Sequence, residues 1–356
     1  MAEAAALLAE LVRIPSPSGR EEAAARHLEV WAAGRGLAVE RDDAAVRIRV
    51  PGRAEGPLLL LATHLDTVPP GEGWTVDPWE GRVEDGRLTA RGAVDAKASV
   101  AAMAAAAARV AAAGGPPRGE LVVLATFSEE TRDTTMPAAL ERLGRTPDAA
   151  VVGEPTGLEP AVAQRGLLIL EARWRGEQLH AGWAASLPEP PANAITAAAR
   201  DLAALGELPL DREHPLLGRV AVTPTVLEAG VARNVTPPAC TATLDVRTTP
   251  AWSHREIVEL LREHLAAEIT VLSERLLPAE TPPGSALLAA LQRLRPHARP
   301  FGSPTASDWV WLRRVDALKL GPGDSRQSHR PDETIELAEV ERAAELHTAL
   351  ALEYLR

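Results

Sequence analysis

The stretch PLLLLATHLD at 57–66 constrains this chain more than any other. Its leucine run does not alternate with polar residues, and it stops on a histidine and an aspartate. A strand exposed on one face alternates, whereas a strand apolar on both faces belongs in the middle of a sheet covered by helices on both sides. Two further runs behave the same way: ELVVLATFSEE at 120–130 and DAAVVGEP at 148–155. An alanine-rich helical segment at 98–113 and a helix near 134–144 fall between these strands. Strand, helix, strand, helix, strand predicts an α/β class with a largely parallel sheet.

The pattern changes after about residue 166. LLILEARWRGEQLHA, RVAVTPTVLEAG, ACTATLDVRTTP and EITVLSE alternate, with helical NAITAAARDLAAL and HREIVELLREHLA placed among them. That β-α-β-β-α-β order predicts a small α+β sandwich. A chain of 356 residues is long for one core. The expected organisation is a discontinuous catalytic domain, 1–166 plus 277–356, with the sandwich inserted at 167–276. Near the start, Ser18 and Glu21 have the spacing of a capping box for a helix ending near Gly34 or Gly36.

Charge and composition exclude several functions. A net charge of −11 disfavours a protein that must neutralise nucleic-acid phosphates. The single cysteine, Cys240, precludes an internal disulfide or a thiolate zinc site. No apolar run approaches the ~20 residues of a membrane span, and Glu3 and Glu10 sit where a signal peptide wants basic residues. A cytoplasmic protein is expected. Lys97 and Lys319 are the only lysines, which is put down to genome base composition.

Ligands of open α/β sheets bind beyond the carboxyl ends of the strands. Five candidate metal-binding groups follow such ends or lie in loops. His64 and Asp66 form an H-x-D step, in which the aspartate orients the imidazole. Asp95 precedes the alanine-rich helix, where a plain helix N-cap is the alternative. Glu129 and Glu130 are adjacent carboxylates ending an apolar strand, costly unless charge or protons compensate. Glu154 follows the third buried run, and His329 lies in a loop before the last helix. His64, Asp95, Glu130, Glu154 and His329 make a set of two imidazoles and three carboxylates that suits zinc, or cobalt or manganese. Five ligands with one shared carboxylate match a pair of ions ~3.5–4 Å apart.

The strings ATHLDTVPP, ARGAVDAK, FSEE, VVGEPT and GPGDSRQSHRPDE, in that order, resemble the dinuclear zinc amidohydrolase family. That family includes acetylornithine and acetylcitrulline deacetylases, succinyl-diaminopimelate desuccinylase, aminoacylase and carboxypeptidase G. The resemblance covers essentially the whole chain, and the GPGDS…H loop is most similar to the acetylornithine deacetylase and carrier-linked lysine/ornithine hydrolase branch. It implies a zinc-hydrolase catalytic domain with an inserted lid and dimerisation domain, and two Zn2+ ions (Co2+ or Mn2+ as substitutes). His64, Asp95 and Glu154 would hold one ion, and Asp95, Glu130 and His329 the other. Glu129 would be the general base acting on a water between them, and Asp66 would orient His64. GEQLHAGW points to His180 as a residue reaching the partner subunit's active site, in a homodimer formed through the insert. Asn234 and Arg247 would grip a substrate carboxylate, and Thr305 and Ser307 would line the site. The implied substrate is a small N-acyl amino acid of arginine or lysine biosynthesis, with no nucleic-acid or membrane partner. A dipeptidase or carboxypeptidase, or the desuccinylase, is the alternative. Ser128, Ala98 and Ser99 depart from the family's usual Asp and glycines, which bears on loop shape and on the substrate rather than on the ligands. Of the remaining histidines, His27, His264 and His347 are expected at the surface or partly packed on helices.

Overall fold

A computed structural model describes residues 2–131 and 134–356. The chain divides into two compact units. One comprises Met1–Val162, Glu280–Phe301 and Ser307–Arg356; the other comprises Ala163–Ala279 and Gly302–Ala306.

In the first unit, the strands Glu120–Thr126, Leu58–His64, Ala149–Val152 and Asp316–Lys319 lie side by side in that order, each parallel to the next. Strands Ala45–Pro51 and Ala38–Arg41 extend the edge beside Glu120–Thr126 in antiparallel fashion. Every residue of Leu58–His64 is buried, as an unalternated run requires. The register sets His64 opposite Thr126, and Val152 opposite both Ala62 and Lys319. Four neighbouring strands therefore deliver their carboxyl ends to one edge.

Helix Lys97–Ala112 is buried from Lys97 to Ala107. Its alanines let it sit between the sheet and the helices Glu3–Val12 and Leu337–Tyr354, because small side chains bring backbones close without voids. His347, on Leu337–Tyr354, is fully buried with no hydrogen-bond partner on either ring nitrogen. The expectation of a surface or partly packed residue is thus wrong: its turn of the helix faces the apolar core, and nothing in the sequence marks that face. Burial lowers its pKa to about 4. Below the ordinary value of 6.5 the unfolded chain takes up a proton that the folded one refuses, so stability is lost as pH falls from 6.5 towards 4. The full effect is about 3 kcal/mol. Urea unfolding of the metal-free protein should show His347→Leu flattening this acid-side loss; an unchanged pH slope would assign it to other groups.

The S-x-x-E spacing at 18–21 is not a capping box. Helix Glu22–Ala33 has Glu21 as its N-cap and no side-chain cap. Both side chains are engaged elsewhere: Ser18 Oγ donates to Asp66 Oδ2 at 2.7 Å, and Glu21 Oε1 accepts from Gly19 N and Ser128 N at 2.8 and 3.0 Å.

In the second unit, strands Ala221–Ala229, Ala239–Thr248, Gly166–Arg175 and Glu268–Leu276 form an antiparallel sheet in that order. The two central strands alternate buried and more exposed residues. Helices Ala194–Ala203 and His254–His264 close the buried face with Trp174, Leu244 and Leu261 in the core. A capping box does occur here, where Ser253 Oγ accepts from Glu256 N and Glu256 Oε2 accepts from Ser253 N. The edge strand Ala221–Ala229 is largely exposed, with Val226 and Leu227 more than half open. No helix among the described residues is long and apolar enough to cross a membrane.

Candidate metal centre

His64 is the last residue of its strand, and its ring is held at both nitrogens. Nδ1 lies 3.1 Å from the carbonyl of Asp66 and 3.2 Å from its Oδ1, which leaves Nε2 facing Asp95 Oδ1 at 3.3 Å. Two zinc ligands at ~2.1 Å in tetrahedral geometry stand about 3.4 Å apart, so this pair is spaced as two ligands of one ion would be. His329 Nε2 sits 2.9 Å from Glu130 Oε1 and 3.6 Å from Asp95 Oδ2. Asp95 thus presents one oxygen to each histidine. Ligand atoms of His64, Asp95 and Glu130 all lie within 4.8 Å of one another. Asp95 is not a helix cap: the N-cap of Lys97–Ala112 is Ala96, without a side-chain bond.

The strand Glu120–Thr126 runs into a tight turn at Ser128, whose φ is +55°. Two carboxylates hold that turn by its backbone. Glu21 accepts from the Ser128 N–H, and Asp66 accepts from Glu129 N and Glu130 N, both at 3.0 Å. Three successive amides are fixed, which aims the Glu129 and Glu130 side chains. Asp66 therefore orients His64 and braces the loop beside it. Glu21 was missed in the sequence because its spacing to Ser18 imitates a helix cap; its partner lies 107 residues away.

Glu154 follows its strand by two residues and is packed from behind by Gly321. A Cβ on Gly321 would stand 2.5 Å from both the Glu154 carbonyl oxygen and Ser99 Oγ. Burial and the charges of Asp95 and Glu130, against Lys319 and His64, raise the Glu154 pKa to about 7. Burial and the carboxylates of Asp308, Glu154 and Glu130 push Glu129 well above the ordinary carboxyl range, with His64 opposing. Burial lifts Asp308 to about 6, although it accepts from Thr134 Oγ1 at 3.0 Å and Thr126 Oγ1 at 3.3 Å. For His64 burial acts downwards, but its bonds to Asp66 and Asp95 and the charge of Glu129 outweigh it and raise the pKa well above the usual value. The hydrogen bond that His329 donates to Glu130, aided by that carboxylate's charge, raises the His329 pKa. Carboxyls forced towards neutrality beside imidazoles forced towards charge are a site with excess negative potential. Divalent cations relieve this, and the oxygen and imidazole donors suit zinc, cobalt or manganese.

Both lysines of the chain are fully buried. Lys97 Nζ donates to the carbonyls of Leu11 and Ile14 at 3.0 and 2.8 Å, and burial lowers its pKa to about 7. Lys319 ends the strand next to Glu154's; burial lowers its pKa while Glu154, Glu129 and Asp95 pull it up. A buried ammonium can give up its proton, whereas a guanidinium stays charged. Composition alone did not distinguish these two positions from the arginines.

The remaining expected site residues are placed as follows. In the second unit, His180 is not on a strand, since Gly166–Arg175 ends before it. Gly176 follows, packed so closely on the Pro237 carbonyl oxygen that a Cβ there would lie 2.3 Å from it. His180 is the exposed N-cap of the short helix Ala181–Ala184, accepting from Gly182 N through Nδ1. The neighbouring Ala181 N donates to the carbonyl of Asn234 at 2.8 Å, so His180 and Asn234 share one corner. Arg247 forms a fork with Asp245, Nε to Oδ1 at 2.8 Å and Nη2 to Oδ2 at 3.0 Å. Thr305 is exposed, with its hydroxyl 3.0 Å from Ser303 Oγ. In the first unit, Ser307 is buried and accepts from Trp309 N.

Comparison with known proteins places the chain in a family. Residues 60–353 match the model of Peptidase family M20/M25/M40. A Pyrobaculum aerophilum protein provisionally named LysW-lysine/LysW-ornithine hydrolase is 31% identical, over 95% of this chain and 94% of its own. The acetylornithine deacetylase of Proteus mirabilis is 30% identical over 81% of this chain and 77% of its own. The succinyl-diaminopimelate desuccinylase of Rhodospirillum centenum is 32% identical, covering 79% and 78%. The fold is shared with the metallo-carboxypeptidase Sso-CP2 of Sulfolobus solfataricus, at TM-score 0.78 and 19% identity over all of both chains. The aminopeptidase PepT of Bacillus cereus superposes at TM-score 0.81 and 21% identity, covering 99% and 98%. With its α/β sheet, its candidate metal site and this match along most of its length, the chain belongs to peptidase family M20/M25/M40 and is a metal-dependent hydrolase of that family.

Proposed function

We propose that the chain hydrolyses the amide bond of a small N-acyl amino acid of the N-acetylornithine or N-acetylcitrulline type. The observation that supports it best is the position of Glu129, held by its backbone next to a cluster of two imidazoles and acidic ligands. In this reading His64, Asp95 and Glu154 hold one divalent ion, and Asp95, Glu130 and His329 the other, zinc or its cobalt or manganese equivalents. Such ions acidify water and polarise the carbonyl under attack. Glu129 takes the proton of the attacking water and returns it to the leaving amine. Asp66 keeps the His64 ring turned so that Nε2 faces the ions. Arg247 and Asn234 hold the substrate carboxylate; the guanidinium already makes a two-pronged bond to Asp245, the geometry a planar carboxylate favours. Thr305 and Ser307 line the pocket. The inserted unit, 167–276, serves as lid and as the contact of a homodimer, in which His180 donates to the developing oxyanion of the partner subunit. The protein works in the cytoplasm, in arginine or lysine biosynthesis.

A panel of N-acetylornithine, N-acetylcitrulline, N-succinyl-diaminopimelate and simple dipeptides tests the substrate. Highest kcat/KM on an acetylated amino acid is expected. Preference for the succinylated substrate would move the assignment to the desuccinylase, which the similarity to the Rhodospirillum centenum enzyme favours. Preference for dipeptides would make it a peptidase.

A further inference from the structure

Asp95 reaches the metal cluster on a loop, not on a strand or helix: residues 91–96 form a run of turns between the strand Arg87–Thr89 and the helix Lys97–Ala112. A ligand that faces two histidines needs that loop fixed. One fully buried carboxylate, Glu333, accepts four N–H groups from it. Oε1 takes Val94 N at 2.7 Å and Asp95 N at 3.0 Å. Oε2 takes Gly92 N at 3.1 Å and Arg91 Nη1 at 2.7 Å. The Glu333 carbonyl accepts from Ala90 N at 3.0 Å, so the amides of Ala90, Gly92, Val94 and Asp95 all end on this one residue.

Arg91 completes the arrangement. It is buried, its Nη2 donates to the carbonyl of Pro70 at 3.0 Å, and its guanidinium lies 5.1 Å from the Trp74 ring centre. A buried carboxylate without a counter-charge is strongly unfavourable, and Arg91 provides one. Gly92, at φ +80°, makes the bend that lets consecutive amides converge; a Cβ there would stand 2.7 Å from Thr67 Cγ2. Glu333 also follows His329 by four positions, and His329 itself has φ +65°. One short segment therefore presents an imidazole to Glu130 and a carboxylate to the Asp95 loop.

We propose that Glu333, braced by Arg91, is the positioning residue that sets Asp95 between the two metal sites and ties it to the loop carrying His329. Glu333 touches neither metal nor substrate; it acts through the backbone of Asp95. The requirement is for a carboxylate. Each oxygen accepts two N–H groups, so a glutamine would turn its own NH2 towards one of those pairs, leaving two buried donors facing a third. The inference rests on the reading of Asp95 as the shared ligand.

The test is metal binding by the metal-free protein, measured by competition with a chromophoric chelator and by the visible absorption of bound Co2+. Wild type is expected to bind two equivalents. Glu333→Gln is expected to remain folded by circular dichroism, yet to bind Co2+ ~10–100-fold more weakly with an altered absorption band. Glu333→Gln with wild-type affinity and spectrum, even at a lower melting temperature, would overturn the proposal and leave the assignment of Asp95 standing. Fewer than two equivalents in wild type would remove that assignment and the proposal together. If Glu333→Gln does not fold, Arg91→Lys decides, because it keeps the charge and all the backbone donors but loses the fork joining Glu333 to Pro70. A weakened, spectrally shifted Co2+ site supports the proposal, and a wild-type one overturns it.

Discussion

Glu129→Gln should lose turnover by ~10²–10⁴ while binding metal and unfolding as wild type does. The carboxylate has no structural duty in its side chain: its loop is held by the Glu129 backbone N–H on Asp66, which the amide variant retains. Glutamine has nearly the same shape and cannot accept the proton of water. A general base is lost to protonation as pH falls, so kcat of the wild type should fall on the acid side. The residual rate of the variant should lack that acid limb. Steady-state kinetics across pH, paired with metal analysis, checks both points. A variant retaining most of its rate would take the proton-transfer role away from Glu129.

The second large effect concerns the ions. Chelation should reduce activity to background, and zinc or cobalt should restore it. The loss should be unequal among ligand variants. Asp95 offers Oδ1 towards His64 and Oδ2 towards His329, so Asp95→Ala should forfeit both ions and all measurable turnover. His329→Ala removes a half-exposed residue from one end of the cluster and should keep the ion on the His64 side. Metal per chain, measured after dialysis against buffered zinc, separates the two cases. Equal stoichiometry in both variants would mean that Asp95 is not shared. Metal binding should also raise the melting temperature, since a ligand at a hundredfold excess over its Kd adds about 2.7 kcal/mol.

The parts of the fold that were legible in the sequence are those with a simple hydrophobic period. Leu58–His64 is buried throughout and Glu120–Thr126 from Leu121 onward, and Gly166–Arg175 and Ala239–Thr248 alternate, as their residue patterns require. His64, Glu130, Glu154 and His329 stand out as candidates because polar groups that end buried strands or interrupt a turn-rich loop need a reason, and the structure brings His64, Glu130 and His329 around Asp95. Residues acting through backbone hydrogen bonds were hidden. Glu21 and Glu333 are ordinary acidic letters until the fold places amides from 107 and up to 241 residues away against their carboxylates. His347 was misplaced for the same reason: helical spacing alone gave no orientation for that turn of Leu337–Tyr354. The expected strand through His180 ends at Arg175, and His180 caps a short helix instead, which the alternation of LLILEARWR does not foretell.

The burial of both lysines has a practical side. Amine-reactive dyes, cross-linkers and resins meet a native surface on which Lys97 and Lys319 are shut away, while its cationic side chains are guanidinium groups that such reagents leave alone. Modification at either lysine therefore records a moment when the core around the site came open.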